Sequence, residues 1–357
     1  MGGGQTVVES SGATVVPAAE NGELWLDRLA RGLGFGWLAE RLPGAPPPSY
    51  VYVVLTVVVS NALTVSYNVL TGVPLIYRDN PYFLLQPLLL FGAVYGAHAL
   101  QAEYDRVMTV MRVRERASDP APLVDPVPGW LPWTLFVVGA GTQLTRAVLD
   151  MSGWGVTDLF ANFLLFPFVF LPIVVQFFTV YVSIEFLAPW RLSASDVGIH
   201  FLDPQGVGGL RPLGELVKTA YYYVVAGLVG YALITYAPFV DSGWTVSAAA
   251  GTVFTAVWVG TVATVAFAVF TLHRFMHREK RAEIQRLERR LRDCIENPWD
   301  VGAYEVPADR EAEVADLRER IDRVSATSEY PATFSIWSQL LLSIALPKAV
   351  QLLIASV

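Results

Sequence analysis

Four polar side chains near the C-terminus stand on one helical row. Ser335, Gln339 and Ser343 are four residues apart, Pro347 and Gln351 continue the row, and Ser338 lies beside it. The stretch around them, about Thr333 to Ala355, is otherwise apolar. Hydroxyl and amide groups on such a helix must face protein or water, because lipid offers them no partner. Two roles fit: hydrogen-bonded helix packing, or the lining of a pore or substrate path. Lys348, about two turns from the end, can reach water along its aliphatic stem.

Other constellations are smaller. Arg146 and Asp150, four apart, suit a local ion pair, which Asp158 and Asn162 can join. The alternative for that group is a transport or ligand site. Asn61, Asn68 and Gln176 are isolated polar points inside apolar runs, and Glu185 reads as an interfacial residue at the end of one. His273 and His277 are also four apart, but no carboxylate or cysteine completes a ligand set, so neither metal nor cofactor is expected. The Gly-rich "FLDPQGVGGLRPLGE" (201–215) fits no nucleotide-binding pattern. Asp203, Pro204, Gly206, Gly208, Gly209 and Arg211 predict a tight turn, or a docking loop against the segment 274–325. No Ser/His/Asp set or catalytic carboxylate pair stands out in the sequence, so enzyme activity is not expected.

The elements that position these residues follow from composition. The chain has 357 residues, 54% hydrophobic and only 16% charged, with a mean hydropathy of +0.44. A soluble protein carries about 25% charged residues. The class expected is therefore all-α and polytopic, with the lipid bilayer as partner and a multi-pass location in the cell membrane. Only three of the 25 basic residues are lysine and the net charge is -7, a composition like that of salt-loving prokaryotes. With no separate basic domain, nucleic acid is not an expected partner. One cysteine, Cys294, excludes an internal disulfide framework.

Residues 1–19 lack any periodic pattern and read as a disordered tail. Residues 20–46 alternate leucine and tryptophan with charge at helical spacing, which predicts an amphipathic helix lying on the membrane surface. Seven apolar stretches follow, at about 50–70, 83–101, 131–149, 159–187, 220–239, 246–272 and 333–355. The third is interrupted by Gln143 and Arg146. The fourth is longer than a bilayer requires and carries Pro167 and Pro172, which should bend or tilt it. Basic residues gather after the second, fourth and sixth stretches, placing those loops and the N-terminus inside and the C-terminus outside. The domain plan is then a six-span unit (47–272), a cytoplasmic helical hairpin (273–331) and a seventh span (332–357). Ile284, Leu287, Leu291 and Ile295 form one short seam of the hairpin, and Val314, Leu317, Ile321 and Val324 the other. Each is about two heptads long, too short to stand alone. The partner is the other helix, the loop near 190–216, or a neighbouring subunit.

Seven spans, an inside N-terminus, a long fourth span, a sixth span running on into the cytoplasm and a polar-striped seventh together resemble the insect chemoreceptor superfamily (odorant and gustatory receptor-like). The resemblance covers about residues 50–357 and is one of architecture. It implies a homo-oligomeric, tetrameric ligand-gated ion channel or channel-like receptor for a small-molecule ligand. Ser335, Ser338, Gln339, Ser343 and Gln351 would line its pore. Ile284, Leu287, Leu291, Leu317 and Ile321 would supply the oligomer contact. Arg146, Asp150 and Asp158 would edge an outward-facing pocket. The signature at the family's C-terminal end is absent from "SQLLLSIALPKAVQLL", and Lys348 departs from a cation pore. The alternatives are a secondary transporter of a small solute or ion, and a scaffold docking a soluble partner on its hairpin.

Overall fold

The structure, a computed structural model, describes residues 23–73, 75, 77, 81–152, 154–236, 248–300, 302–330, 345–349 and 352. Among these the regular elements are helices: α1 (Trp25–Gly32), α2 (Phe35–Ala39), α3 (Pro48–Thr71), α4 (Leu85–Val110), α5 (Trp130–Asp150), α6 (Asp158–Ala194), α7 (Arg211–Tyr236), α8 (Ala248–Asp293) and α9 (Glu311–Ala326). The residues 1–19 and the pore-lining candidates Ser335, Ser338, Gln339, Ser343 and Gln351 lie outside the described residues.

Among the described residues, five helical stretches are long and apolar enough to cross a membrane: α3, α4 with the turn before it, α6, α7 and the part of α8 from Gly251 onward. Helix α5 is 21 residues long but is not one of them. Gln143 and Arg146 lower its hydropathy, as the sequence shows. The outer faces of the bundle are apolar, with Leu63, Leu70, Val137, Val138 and Phe270 all more than half exposed. Such a surface suits lipid and not water.

Helix α6 is the centre of the bundle. In its most apolar stretch 56% is buried, against 22% for α3. It packs on α4, α5, α7 and α8. One core joins α4, α6, α7 and α8 through Tyr104, Tyr181, Ile184, Val224, Phe254 and Leu272. A second joins α1, α3, α4 and α6 through Leu26, Tyr52, Val94 and Ile173. Helices α4 and α7 approach closely because Gly230 has no side chain: a Cβ there would meet Leu89 Cδ2 at 2.7 Å.

Pro167 and Pro172 do not break α6. The stretch Ala161–Phe170, with Pro167 inside it, is π-helical, and Pro172 sits in the first turn of the α-helical part that follows. A proline lacks an N–H and crowds the carbonyl four residues back, so a wider turn accommodates it. A second π-helical turn, Ser183–Leu187, holds no proline.

The single surface helix expected over 20–46 is corrected in two respects. It is broken between α1 and α2 at Gly34, whose φ of +94° suits glycine. Its apolar face meets protein: Leu26 and Ala30 are fully buried against α3 and α6. Asp27, assigned by the sequence pattern to the polar face, is buried as well.

Helix α8 runs 46 residues without a break, about 69 Å at 1.5 Å per residue. Its last turns pair antiparallel with α9, joined at the tip by the reciprocal Glu296–Glu305 backbone bonds. The seam residues face each other. Leu287, Cys294, Val314, Leu317 and Val324 are buried, with Ile284, Leu291, Ile295 and Ile321 packed around them. Ile284, Leu287, Leu291, Leu317 and Ile321, assigned from the resemblance to an oligomer contact, pack within this intrachain cluster, with Phe201 against it.

Candidate functional site

Among the described residues Glu185, in the second π-helical turn of α6, is a carboxyl without a hydrogen-bond partner on either oxygen. It is completely buried. The turn that carries it packs between α7 and α8, and its neighbour Phe186 stacks on Phe267 of α8 at 4.2 Å between ring centroids. Two tyrosines lie close enough to feel a charge on Glu185: Tyr181, one turn earlier on α6, and Tyr221 on α7. The Tyr181 hydroxyl is engaged with Thr264 Oγ1 at 3.0 Å and Thr261 O at 3.3 Å. The Tyr221 hydroxyl is buried with no partner. Glu185, read from the sequence as interfacial, is not exposed at its end of the apolar run: it is buried where its turn packs against α7 and α8. An ionised, unpaired carboxylate in such a place costs several kcal/mol.

A second polar cluster joins the N-terminal helix to the bundle. Ser49 Oγ lies 2.9 Å from His98 Nε2, and Asp27 Oδ2 lies 3.4 Å from the same nitrogen. The fold thus brings a serine, a histidine and an aspartate together where the sequence shows no such set. The geometry is not that of a charge-relay triad, in which the carboxylate holds Nδ1 and leaves Nε2 for the serine. Here both contacts fall on Nε2, and Ser49 is fully buried. The work of Asp27 is structural. Its Oδ1 accepts the Ser49 backbone N–H at 3.0 Å, satisfying a free donor in the first turn of α3. Gln176 acts alongside it, accepting the Leu26 N–H at 2.8 Å.

The residues expected to edge a pocket are partly brought together. Arg146 donates from Nη2 to Asn162 Oδ1 at 2.8 Å, and Gln143 reaches the same oxygen at 3.2 Å. Asp158 turns to its own helix start, accepting the Gly155 N–H at 3.1 Å. Asn162 is therefore the hub, and Arg146 Nε is buried without a partner. Asp150 ends α5.

On the C-terminal half of α8, His277 Nδ1 lies 2.9 Å from Glu329 Oε2, and His273 Nδ1 lies 3.0 Å from the Glu329 carbonyl. Lys280 donates to Thr327 O at 2.8 Å, and Tyr330 stacks on His273 at 4.4 Å. Burial pushes the Glu329 carboxyl up, but the His277 hydrogen bond and the charges of His277, Lys280 and His273 together hold it below its usual range. The histidine pair thus fixes the segment after α9 to α8.

The Gly-rich loop docks on the same segment. Asp203 organises it: its carboxylate accepts backbone N–H groups of Gln205 (3.0 Å), Val207 (3.3 Å) and Gly209 (2.8 Å). Slight burial raises its pKa, but these three bonds outweigh that and hold it low. Gly206, Gly208 and Gly209 all take positive φ. The Gly206 carbonyl accepts the Ser328 N–H at 2.7 Å, and Arg211 pairs with Glu215 at 2.8 Å.

Glu185 was within reach of sequence reasoning as a lone carboxyl in an apolar run. Asp27, Ser49 and His98 carried no signal, because they are separated by 22 and 49 residues and meet only in the fold. No known protein family, curated protein or solved structure matches the chain.

Proposed function

We propose that this chain is a multi-pass protein of the cell membrane that moves an ion across it, as a secondary transporter, and binds that ion at Glu185. One observation carries the reading: a fully buried carboxyl without partners stands in the most enclosed helix of an apolar bundle. Ionisable residues kept inside a membrane are costly and mark ion pathways. The test is flux through proteoliposomes holding the purified full chain. An imposed potential should drive ion movement in the native protein, and Glu185→Gln should reduce it to that of protein-free vesicles. Equal flux in native and variant protein removes Glu185 from the pathway.

A second reading is the tetrameric, ligand-gated channel that the resemblance implies. It is favoured by the segment 345–349. There the Lys348 ammonium comes within 3.5 Å of Thr255 Oγ1 on α8, while Leu346 stays half exposed beside a buried Pro347. A terminal helix with one side on α8 keeps another side for a neighbouring subunit and a polar row. On this reading Ser335, Ser338, Gln339, Ser343 and Gln351 line the pore, and Arg146, Asp150 and Asp158 face the ligand. Single-channel conductance that is unchanged in Gln339→Leu and Ser343→Leu removes it.

A further inference from the structure

We infer that the species bound at Glu185 is a proton, taken up and released by the carboxyl itself; this rests on the reading of Glu185 as the ion site. The surroundings decide among the positive species available. A basic side chain would serve as a permanent counter-ion, but among the described residues none pairs with Glu185. The titratable groups that face it are Tyr181 on its own helix and Tyr221 on α7. From α8, the Thr261 backbone carbonyl and the Thr264 hydroxyl are both taken by the Tyr181 hydroxyl, and the Thr261 hydroxyl bonds Trp258 O. A hard metal cation requires about six oxygen ligands. Among the described residues no group of three or more His, Cys, Asp or Glu side chains that could hold a metal ion is present, and the Tyr181 hydroxyl is already engaged. A proton needs no such shell. It binds one carboxyl oxygen, cancels the charge and removes the cost of the buried ion in one step.

The site also has a near side. Arg191 on α6, Lys218 on α7 and Arg274 on α8 mark the charged end of the bundle. They lie one to two helical turns beyond Glu185, Tyr221 and Phe267 respectively, about 5–10 Å along the axes. Proton exchange with water at that end is balanced simply: the carboxylate takes a proton from hydronium, leaving water, and returns it by the reverse step. The Tyr221 hydroxyl is buried and without a partner, and it is the group we infer to orient the acid once protonated. Its role is positioning, since it acts through Glu185. The π-helical turn Ser183–Leu187 places the carboxyl between α7 and α8, and such turns often occur at functional sites.

The decisive measurement is infrared difference spectroscopy on the full chain in liposomes, native against Glu185→Gln. Glutamine is the shape of the neutral acid, so the variant should fold. At neutral pH the native protein should show the carbonyl stretch of a protonated carboxylic acid, downshifted in heavy water and missing from the variant. Tyr221→Phe should move that band without abolishing it, which a merely space-filling tyrosine would not do. If no band separates native protein from variant, or if added sodium removes the band at fixed pH, the proton assignment is overturned. Proton flux read by an entrapped pH dye separates the two levels of inference. A band with flux that the variant lacks supports both. A band without flux supports the proton on Glu185 and overturns the transporter reading.

Discussion

Replacing Asp27 by alanine tests whether the N-terminal helix is docked on protein or lies on lipid. The buried carboxylate accepts the Ser49 N–H at 3.0 Å and lies 3.4 Å from His98 Nε2. A hydrogen bond to a charged group contributes about 1.5–3 kcal/mol. A negative charge at a helix N-terminus adds about 0.3–1 kcal/mol. Asp27→Ala should therefore weaken the docking of α1 by about 2–4 kcal/mol, taking both contributions together. Arg28 and Arg31 lie on the same helix and give trypsin two cutting sites. When opening is fast relative to cleavage, the cutting rate follows the open population. At 1.4 kcal/mol per tenfold, cleavage should rise by roughly 30- to 700-fold. Asp27→Asn keeps an acceptor for Ser49 and should rise far less. A double-mutant cycle with His98→Ala should show coupling, because the two side chains are in contact. Cleavage of Asp27→Ala within about twofold of native, judged against the tenfold expected per 1.4 kcal/mol, would refute the docked arrangement and favour a helix resting on the membrane.

The other expectations concern the Gly-rich loop and the α8–α9 seam. The Asp203 carboxyl is held below its usual range in the fold, so its stabilisation of the loop is fully present above the unfolded carboxylate pKa of about 3.9. It is lost as pH falls through the lower folded value. Hydrogen exchange of the 201–210 peptide, corrected for intrinsic rates, should show this acid step in native protein and not in Asp203→Asn; a step that survives in the variant contradicts the assignment. Gly208→Ala should destabilise by roughly 1–3 kcal/mol, because φ there is +66° and a Cβ would meet Ile199 Cγ2 at 2.4 Å; an unchanged melting temperature would exclude the turn. Leu317→Ala, at a buried seam position, should cost about 2–5 kcal/mol. It should loosen α9 in hydrogen exchange without changing oligomeric mass, whereas a change in mass would restore the seam as a subunit contact.

Several elements were readable because their cause is local. The apolar runs that become α3, α4, α6, α7 and the membrane part of α8 announce themselves by length. The 3–4 spacing of Ile284, Leu287 and Leu291 gives a helix and its buried face. The choice of partner for that face is not local. The loop between α8 and α9 returns α9 directly onto it, so the chain's own second helix fills much of the seam. Helix α5 illustrates the opposite limit: Gln143 and Arg146 reduce its hydropathy, and their acceptor, Asn162, lies on the next helix.

The buried polar groups were the least readable, for a reason that bears on function. Sequence places Glu185 near the end of an apolar run, where an exposed carboxyl is the ordinary reading. What changes its state is the length of α6. At 37 residues the helix extends about 55 Å, against a hydrocarbon core of about 30 Å, so the place where its apolar run ends is not the place where water begins. Helices α7 and α8 extend past the same level and close over it. Asp27 shows the same effect from the other side. A charge on the polar face of an amphipathic helix is drawn inward because the N-terminus of α3 has a donor to satisfy. The two carboxyls nevertheless differ in kind. Asp27 enters the core with a backbone N–H and a histidine waiting for it, and is thereby accounted for as structure. Glu185 enters with no hydrogen-bond partner for either carboxyl oxygen, and it is this difference in partners, rather than burial alone, on which the proposal that Glu185 binds an ion rests.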